Sequence, residues 1–573
     1  MAKPLPRNAE LADQLDLLAD LSEILGEESF KIIAYRRAAT RIRETPAPVA
    51  ELALAGKAKE LPGVGRTIEG KVVEIVEEGE IQALVRRRQR VPAGVVDFLR
   101  LPGVGPKTAA RIWTELGVTT LDGLRAAAES QRLRELSGLG PTSEEKILRA
   151  LEAGAGEKKE PRGLLGRALA AVQRVVADLT AHPAAIAVSE AGSVRRRRET
   201  VRDLDLIATS SDPPALIGAF CEADWVSEVV ARGETKATVV SHDGLRFDLR
   251  VVAPECFGNV LQHFTGSRDH NIALREDAQR RGLSISEYGV TTVETGEVVT
   301  HRDEESLYRY LGYAYIPPEL RESGGELAAA RNGAGSGLPE LVQLSDLRGE
   351  LHCHSTWSQD GKNTIEEMAL AAKTRGYRYL CLTDHSHYLR DGKLEAQWRE
   401  IEVVNERVKP FRVLRGIEAN IRADGSLDVS DDVLAQLDWV VASLHTSFER
   451  SPTERILATI DNPNVDSIGH LTGRRLTRRE GAPVDVERVV ERAAETGTAL
   501  EINSQPDRLD LRDTNARLAG EAGVLVPVTT DAHSVGALGY AELGIGQARR
   551  AWLTKEQVLN TRSWRDVQRA RRR

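Results

Sequence analysis

The first part of the chain has the apolar spacing of helices. Leu11, Leu15 and Leu18 recur at intervals of three or four residues, which places them on one helical face. Alanine-rich amphipathic stretches separated by glycines continue to about residue 155, and the charged segment GAGEKKEPRG lies at their end. The sequence therefore predicts helices joined by glycine turns up to this segment.

The spacing changes to short β-rich runs between residues 184 and 253. Five runs follow one another: AAIAVSEA, DLDLIATS, WVSEVVA, TKATVVSH and LRFDLRVV. The Asp243–Gly244 pair between the last two runs is a strong signal for a tight hairpin. A more helical piece then extends to about residue 322, so this part is predicted to be α+β.

A segment rich in glycine, alanine and serine, SGGELAAARNGAGSGLPE, follows and predicts a flexible linker. Beyond it, short apolar runs alternate with amphipathic helices. Seven such runs are present: GELHCH, YLCLTDH, VLRGIEANI, WVVASLHT, DSIGHL, TALEIN and VLVPVTTDAH. Strands that alternate with helices predict parallel β-structure in an α/β layered or barrel fold.

Composition narrows the class of protein. A chain of 573 residues is too long for one core, and 41% hydrophobic with 29% charged residues is typical of a soluble protein. No apolar run approaches the ~18 residues that span a bilayer, and the first residues lack the apolar stretch of a signal peptide. Four cysteines are scattered without a CxxC pair, so we expect reduced thiols and a cytoplasmic location.

The net charge of −8 means that any DNA binding must come from motifs rather than from bulk charge. LPGVG occurs twice, with Gly63 and Gly65 in the first copy and Gly103 and Gly105 in the second, and LSGLG follows at residues 136–140. Each turn precedes a helical run, whose first N–H groups can face a phosphate. Three tandem copies favour helix-hairpin-helix DNA binding over plain helix–helix turns. A dinucleotide site is disfavoured, because none of the turns follows a strand or completes GxGxxG.

Two aspartates lie one residue apart in the run DLDLIATS. Asp203 and Asp205 share one face of a strand, where their charges repel unless cations lie between them. Asp248 on a neighbouring strand can complete a three-carboxylate site for Mg²⁺ or Mn²⁺. Gly192 and Ser193 supply a turn for phosphate binding ahead of the aspartates, with arginines behind it. This pattern predicts two-metal phosphoryl transfer rather than an ordinary exposed acidic pair.

Histidines and acids recur at or just beyond the ends of the seven apolar runs. They are His352, His354, Asp360, His385, Glu418, His445, His470, Asp531 and His533. Residues at the carboxyl ends of parallel strands converge on one mouth of a barrel, where such folds place active sites. Imidazole and carboxylate ligands suit Zn²⁺ or Mn²⁺, so the pattern predicts a metal centre.

The segment GSVRRRRETVRDLDL resembles the nucleotidyltransferase palm signature of family X DNA polymerases, the group that contains repair polymerase beta. HFTGSRDHN resembles the segment that holds the sugar and base of the incoming nucleotide, although His263 stands where Tyr is usual and Arg268 replaces an acidic residue. LSISEYGV and GYAYIPPELRE are similar to the thumb. FKIIAYRRAATRIRETP and LPGVGRTIEGKVVEIVEEGE are similar to the gap-binding domain, so the resemblance covers nearly all of residues 1–322.

This resemblance implies roles for individual residues. The metal carboxylates would be Asp203, Asp205 and Asp248. The triphosphate and the deoxynucleotide would be bound by Gly192, Ser193, Arg196, Phe264, Gly266 and Asn271. Lys31 and Tyr35 would lie near a 5′-phosphate across a gap. Lys71 matches the lysine that forms a Schiff base with an abasic sugar in lyase-competent relatives, and an ordinary helix-surface lysine is an equal alternative.

The C-terminal pattern LHCHSTWSQDG, LTDH, GIEANI, SLHTSF, GHL and TTDAH is similar to the polymerase and histidinol phosphatase (PHP) domain, a (β/α)7 barrel with a trinuclear metal centre. The resemblance implies up to three Zn²⁺ or Mn²⁺ ions, held by His352, His354, Glu418 and Asp531, by Glu418, His445 and His470, and by Asp360, His385 and His533. Glu418 would bridge two ions. The complete ligand set implies a working 3′→5′ exonuclease, with abasic-site endonuclease or 3′-phosphodiesterase activity as a further implication.

Together these features predict a multidomain chain with helix-hairpin-helix domains, an α+β nucleotidyltransferase palm with a thumb, and a C-terminal (β/α)7 barrel. The expected divisions are a lyase-like gap-binding domain at 1–85, fingers at 86–155, the palm at 156–254, the thumb at 255–322, a linker at 323–344 and the PHP domain at 345–573.

We therefore expect a repair polymerase that adds deoxynucleotides from their triphosphates to the 3′-OH of gapped or nicked DNA. It would act as a monomer and without a membrane partner. One alternative is a small-molecule phosphatase of histidinol-phosphate type with an ancillary palm, but a phosphatase has no use for DNA-backbone clamps. Another is a non-enzymatic DNA-end scaffold, which the complete carboxylate and ligand sets disfavour.

Overall fold

The computed structural model describes residues 5–6, 8–44, 49–61, 63–99, 101, 104–136, 139–152, 163–331, 337–479 and 481–571. The chain divides into two compact units, Met1–Pro161 with Pro213–Leu249 and Arg162–Asp212 with Arg250–Arg573. Within the described residues, no helix combines the length and the apolar character that crossing a membrane requires.

The N-terminal part is helical, as the apolar spacing predicts. Its helices are α1 (Asn8–Ile24), α2 (Ser29–Glu44), α3 (Val49–Leu54), α4 (Arg66–Glu78), α5 (Gln82–Arg88), α6 (Ala93–Phe98), α7 (Pro106–Leu116), α8 (Leu121–Glu129) and α9 (Pro141–Glu152). Leu11, Leu15 and Leu18 are fully buried on one face of α1. One apolar core runs from α1 to α9, so burial of these faces holds the helices together. The predicted charged segment after α9 lies mostly outside the described residues.

The central part contains short strands and helices. They are β1 (Gly163–Leu164), α10 (Leu165–Thr180), β2 (Ala185–Glu190), α11 (Gly192–Arg195), β3 (Thr200–Val201), β4 (Asp203–Ser210), α12 (Pro213–Cys221), β5 (Val226–Arg232), β6 (Lys236–Ser241) and β7 (Arg246–Val251). Each of the five predicted runs contains a strand; β2 pairs antiparallel with β4 in one unit, and β5 pairs antiparallel with β6 in the other. The predicted hairpin is confirmed, because Gly244 has a φ of 81° in the turn between β6 and β7.

The piece that follows is helical with a small sheet. Its elements are α13 (Phe257–Thr265), α14 (Arg268–Arg280), β8 (Leu283–Ser286), β9 (Gly289–Thr292), β10 (Val298–Val299), α15 (Glu304–Tyr310) and α16 (Glu326–Ala330). Helix α16 lies in the segment predicted as a flexible linker, and that prediction is wrong for this stretch. Glu326 is buried and its carboxylate pairs with His270 at 2.7 Å, which fixes the helix against α14.

The C-terminal part is α/β with parallel strands. Its strands are β11 (Gly349–Cys353), β12 (Tyr379–Leu382), β13 (Arg412–Asn420), β14 (Trp439–Ser443), β15 (Ser467–Gly469), β16 (Ala499–Leu500), β17 (Ile502–Asn503) and β18 (Val528–Thr529). Its helices are α17 (Ile365–Thr374), α18 (Lys393–Val408), α19 (Asp431–Leu434), α20 (Pro452–Ile460), α21 (Val486–Thr496), α22 (Asp513–Glu521), α23 (Ala541–Arg550) and α24 (Trp564–Ala570). All seven predicted runs contain a strand, and TALEIN contains two.

The parallel strands form a curled sheet. Strands β11 to β16 pair in chain order, and β17 pairs with β18. A parallel bridge joins Cys353 at the end of β11 to Ala532 just after β18, so the first strand lies beside the last segment. This closure brings the carboxyl ends of the strands to one mouth, which is the arrangement that the sequence predicts.

A buried ion network ties α15 to the central part. The Glu304 carboxylate accepts hydrogen bonds from the guanidinium groups of Arg195 and Arg321; Glu304 and Arg321 are buried, and the Arg195 side chain is 14% exposed. Burial alone would raise the pKa of Glu304, but these two arginines hold it at about 2 instead of 4.5. Glu304 therefore stabilises the fold only in its ionised form.

Replacing Glu304 by Gln is expected to lower the free energy of unfolding by about 3–5 kcal/mol, because two buried guanidinium groups lose their counter-charge. In the wild-type chain this contribution is complete above about pH 5 and is lost as the pH falls towards 2, because the folded-state pKa is depressed. Denaturant titrations at several pH values measure both effects. The matched control is Glu305→Gln on the exposed side of α15, and an equal loss of stability in that variant would contradict the prediction.

Candidate functional sites

All three predicted glycine turns place a glycine directly before a helix, with Gly140 ahead of α9. Gly65 is the N-cap of α4 and Gly105 is the N-cap of α7, both with extended backbone and without a side-chain cap. The valine ahead of each cap, Val64 or Val104, is buried in the helical core. The buried valine anchors each of these two turns, and the glycine that begins the helix is exposed.

The glycines of these turns are exposed. A Cβ built at Gly63, Gly65, Gly105 or Gly140 would meet no described atom within 4 Å. Gly63 also has a φ of 87°, which favours glycine. The open space at the turns lets an anionic backbone approach the helix N-termini. Gly103, the fourth predicted DNA-binding glycine, lies outside the described residues.

The two side chains predicted near a 5′-phosphate, Lys31 and Tyr35, lie on α2, and Lys71, which matches the Schiff-base lysine, lies on α4. Lys31 is exposed and pairs with Glu28, whereas Tyr35 is buried. The Lys71 ammonium lies 5.7 Å from the centre of the Tyr35 ring. Burial lowers the pKa of Lys71, and the charge of Glu74 opposes that shift. Lys71 is therefore a partly desolvated amine beside an aromatic ring, which suits either a nucleophile or a structural lysine.

The predicted carboxylates lie on two strands, Asp203 and Asp205 on β4 and Asp248 on β7. Asp203 and Asp205 are half-buried on one face of β4, with buried Leu204 between them on the other. Asp203 accepts a hydrogen bond of 2.8 Å from Arg202 Nε. Asp248 is half-buried in β7, where its carboxylate accepts hydrogen bonds from Thr238 and Arg246.

The Gly192–Ser193 turn lies directly against Asp205. Gly192 has a φ of 62°, and a Cβ at this position would overlap the Asp205 carboxylate. Only glycine therefore allows the start of α11 to approach β4 this closely. The turn and the acidic strand are two parts of one site.

All six residues predicted to bind a nucleotide line one cleft. Its volume is about 590 Å³, and its walls are formed by Gly192, Ser193, Arg196, Asp205, His263, Phe264, Gly266, Arg268, Asn271, Ile272 and Arg275. Ile272 and Arg275 are absent from the sequence prediction, although they follow Asn271 on the same helix. Three arginines beside one aspartate give the cleft a positive wall that suits a polyphosphate.

Hydrogen bonds fix the polar side chains of this cleft. Arg196 donates from Nε to Glu322 at 3.0 Å and from Nη1 to the Thr265 carbonyl. Asn271 donates to the His263 carbonyl at 2.8 Å. These contacts hold both side chains in place without a ligand, so the cleft is preorganised.

A second cluster lies at the mouth of the C-terminal sheet. All nine predicted ligands lie at or near the carboxyl ends of the parallel strands, and the Glu418 carboxylate is at their centre. Its Oε1 lies 3.5 Å from His352 Nε2, 3.2 Å from His445 Nε2 and 3.1 Å from His470 Nε2, and its Oε2 lies 3.7 Å from His354 Nε2 and 2.7 Å from His385 Nδ1. Five imidazoles around one buried carboxylate are the donor set of a metal centre.

The other two acids complete the cluster. Asp531 Oδ1 lies 3.2 Å from His354 Nε2, and Asp360 Oδ2 lies 3.2 Å from His533 Nε2 and 3.5 Å from His385 Nε2. Three groups have ligand atoms close enough to share an ion: His354, His385 and His533; His352, His354 and Glu418; His385, Glu418 and His445. The groups share members, so any ions held there would lie next to one another.

Charge in this cluster is arranged around Glu418. Burial would raise the pKa of Glu418, but His445, His385 and His352 hold it well below its ordinary value. Burial lowers the pKa of His354 to about 3, so its imidazole is neutral at pH 7 and keeps a lone pair for a cation. The cluster thus holds an ionised acid beside a neutral base.

Two further residues orient the ligands and were missed by the sequence analysis. Glu501 Oε1 lies 2.9 Å from His352 Nδ1, and Asn420 Oδ1 lies 2.6 Å from His445 Nδ1. Each partner fixes the imidazole so that its other nitrogen points toward Glu418. The sequence does contain a signal for Glu501, which is the acid within the apolar run TALEIN. A buried strand seldom carries a carboxylate unless that carboxylate has a partner.

Four protein-family models match the chain. A helix-hairpin-helix domain matches residues 6–81, a SAM-like helix-hairpin-helix tandem matches 95–153, the DNA polymerase beta thumb matches 260–322, and the PHP domain matches 350–505. The two helix-hairpin-helix matches cover the glycine turns. The thumb match covers one side of the cleft, and the PHP match covers most of the histidine cluster.

The chain is also similar to curated proteins. It is 40% identical over 569 residues to the DNA polymerase/3′-5′ exonuclease PolX of Bacillus subtilis, covering 97% of both chains. It is 32% identical over 225 residues to a probable phosphatase of Thermoanaerobacter sp. (strain X514), covering 37% of this chain and 89% of the relative. The identity to PolX extends over nearly the whole length, and the chain therefore belongs to the PolX family, the family X DNA polymerases with helix-hairpin-helix domains and a C-terminal PHP domain.

Proposed function

We propose that the chain fills gaps in DNA with its central cleft and trims 3′ ends with its C-terminal cluster. The observation that carries this proposal is the cleft in which the Gly192–Ser193 turn, Arg196, Asn271 and the Asp205 carboxylate meet. A phosphatase of histidinol-phosphate type remains the weaker candidate, because likeness to the probable phosphatase covers only 37% of the chain.

In the polymerase site, Asp203, Asp205 and Asp248 would hold two Mg²⁺ or Mn²⁺ ions. When bound, these ions would activate the primer 3′-hydroxyl and stabilise the departing pyrophosphate. Each of these carboxylates is half-buried in its own strand and offers the oxygen ligands that such hard cations prefer.

The cleft would bind the deoxynucleoside triphosphate. The Ser193 hydroxyl and the Arg196 guanidinium would hold its phosphates, and the arginine would balance charge as the pyrophosphate leaves. Phe264 and Gly266 would contact the sugar, and Asn271 would orient the base. The Arg250 guanidinium lies 4.5 Å from the centre of the Phe264 ring, which limits the orientations open to that ring.

The glycine turns would bind gapped DNA by its sugar-phosphate backbone. Gly63, Gly65 and Gly105 expose helix N-termini that need no base-specific contact. Lys31 and Tyr35 would lie near a 5′-phosphate at the gap, and Lys71 would face an abasic sugar if the chain has lyase activity. Binding through the backbone suits a repair enzyme, because gaps arise in any sequence.

The C-terminal cluster fits divalent metals because several of its buried ligand atoms make no well-formed hydrogen bond within the described chain. They are His352 Nε2, His354 Nδ1 and Nε2, His385 Nδ1, Glu418 Oε2, His470 Nδ1 and Asp531 Oδ1. Several of them lie within 4 Å of one another instead, as His385 Nδ1 and Glu418 Oε2 do at 2.7 Å, and a shared cation would satisfy them together. We propose that up to three Zn²⁺ or Mn²⁺ ions bind there, where they would polarise a phosphodiester and activate water for its hydrolysis.

The two sites are separable by mutation. Asp203→Ala is expected to reduce extension into a one-nucleotide gap about a thousandfold and to leave 3′ trimming intact, because it removes a carboxylate from one site only. His354→Ala is expected to abolish trimming of a blocked 3′ end and to leave extension intact. Gel assays on gapped DNA with and without a 3′ block measure both rates.

Matched controls for this pair are Asp212→Ala, an exposed acid beyond the end of β4, and His387→Ala, which lies next to the ligand His385 but outside the cluster. Neither control is expected to change either rate by more than about twofold. Full extension by Asp203→Ala would refute the polymerase assignment. Phosphatase activity on histidinol phosphate without any DNA activity would favour the rival function.

Replacing Glu418 by Gln is expected to remove metal from the C-terminal cluster. The neutral amide loses the charge that balances several cations and lowers their affinity by about 10–100-fold or more. Elemental analysis of the purified variant should find less Zn²⁺ or Mn²⁺ per chain, while His387→Ala retains the wild-type content. Unchanged metal content in Glu418→Gln would show that the ions bind elsewhere.

A further inference from the structure

The segment that follows the Gly192–Ser193 turn is held by residues of the C-terminal part within the same compact unit. Arg550, at the end of α23, has a side chain that is 2% exposed. Its Nη1 donates to the Arg196 carbonyl at 2.8 Å and to Glu322 Oε1 at 3.0 Å, and its Nη2 donates to Asp513. A guanidinium from α23 thus contacts the backbone of an arginine that lines the nucleotide cleft.

Glu322 connects the two arginines. Its Oε1 accepts from Arg550 and also from Arg196 Nε, each at 3.0 Å. Burial would raise the pKa of Glu322, but Arg196 and Arg550 outweigh it and lower the pKa. One carboxylate therefore bridges the two guanidinium groups, although Arg550 also pairs with Asp513, and its position depends on both arginines.

A second contact holds the same segment. Arg474 forms a two-pronged ion pair with Glu199, and Gln547 Nε2 donates to Glu199 Oε1 at 2.9 Å. Arg474 lies four residues after His470 of the histidine cluster. The segment 196–199 is therefore fixed at both ends by side chains from the C-terminal part.

From these contacts we propose that Arg550 is a positioning residue for the polymerase reaction. It fixes the Arg196 backbone directly and the Arg196 guanidinium through Glu322, so the cleft binds the triphosphate tightly only when the C-terminal part is docked. The proposal rests on the role proposed above for Arg196. A long arginine side chain has many rotamers, and restricting them in advance lowers the entropic penalty of ligand binding.

Steady-state gap filling by the full chain tests this role. Arg550→Met is expected to raise the KM for the incoming deoxynucleoside triphosphate about tenfold, because a displaced Arg196 binds phosphate less well. The exonuclease rate of the same preparation should change by less than about twofold, since Arg550 does not belong to the histidine cluster. Arg549→Met is the matched control, because Arg549 on the same helix binds Glu319 and the Val342 carbonyl instead.

Two more variants separate the outcomes. Arg550→Lys keeps a positive charge beside Asp513, so this variant is less prone to misfold than Arg550→Met. One ammonium cannot replace the two guanidinium nitrogens that bind three partners at once, so a KM increase of about threefold is expected. Arg196→Lys should raise the KM by itself. Combining it with Arg550→Met should then add little, because both changes act on the same contact.

Three results would overturn the proposal. They are an unchanged KM in both Arg550 variants, an equal KM increase in Arg549→Met, and full additivity in the double variant. An unchanged KM in Arg196→Lys would instead refute the proposed role of Arg196 and with it this inference. A KM increase in Arg196→Lys without one in the Arg550 variants would refute this inference alone.

Discussion

A carboxylate that is shielded from water is stable in its ionised form only when positive charge lies beside it, and this requirement shapes each functional region of the chain. Glu418 is buried among imidazoles and Glu304 between two arginines, and the half-buried Glu322 lies between one arginine from the cleft and one from α23. In each case the partners come from distant parts of the sequence. Ionisation and folding therefore depend on each other, and the sites form only when their supporting elements are packed.

Much of the fold could be predicted because it follows from local patterns. Apolar spacing predicts the buried leucines of α1, and short apolar runs predict every strand of the C-terminal sheet. The aspartates of β4 and the residues of the cleft could be identified because their spacing and motifs lie within short segments. A strand period of two places Asp203 and Asp205 on one face whatever surrounds them.

Other features depend on contacts that no local pattern encodes. Glu199 pairs with Arg474 across 275 positions of sequence, and Glu501 reaches His352 across 149. Helix α16 was predicted as part of a linker because its residues are small, yet its Glu326 packs against His270. In these cases tertiary partners decide the structure, so composition alone is misleading.

The exposed glycine turns have a consequence for how the enzyme responds to ionic strength. Contacts between neutral backbone amides and phosphates displace fewer condensed counterions than contacts from lysine or arginine, so affinity falls less steeply as salt rises. A chain with a net charge of −8 also gains little from long-range attraction to DNA. Encounter with a gap would therefore be slow but tolerant of salt, and selection among DNA structures would fall to the shape of the bound backbone.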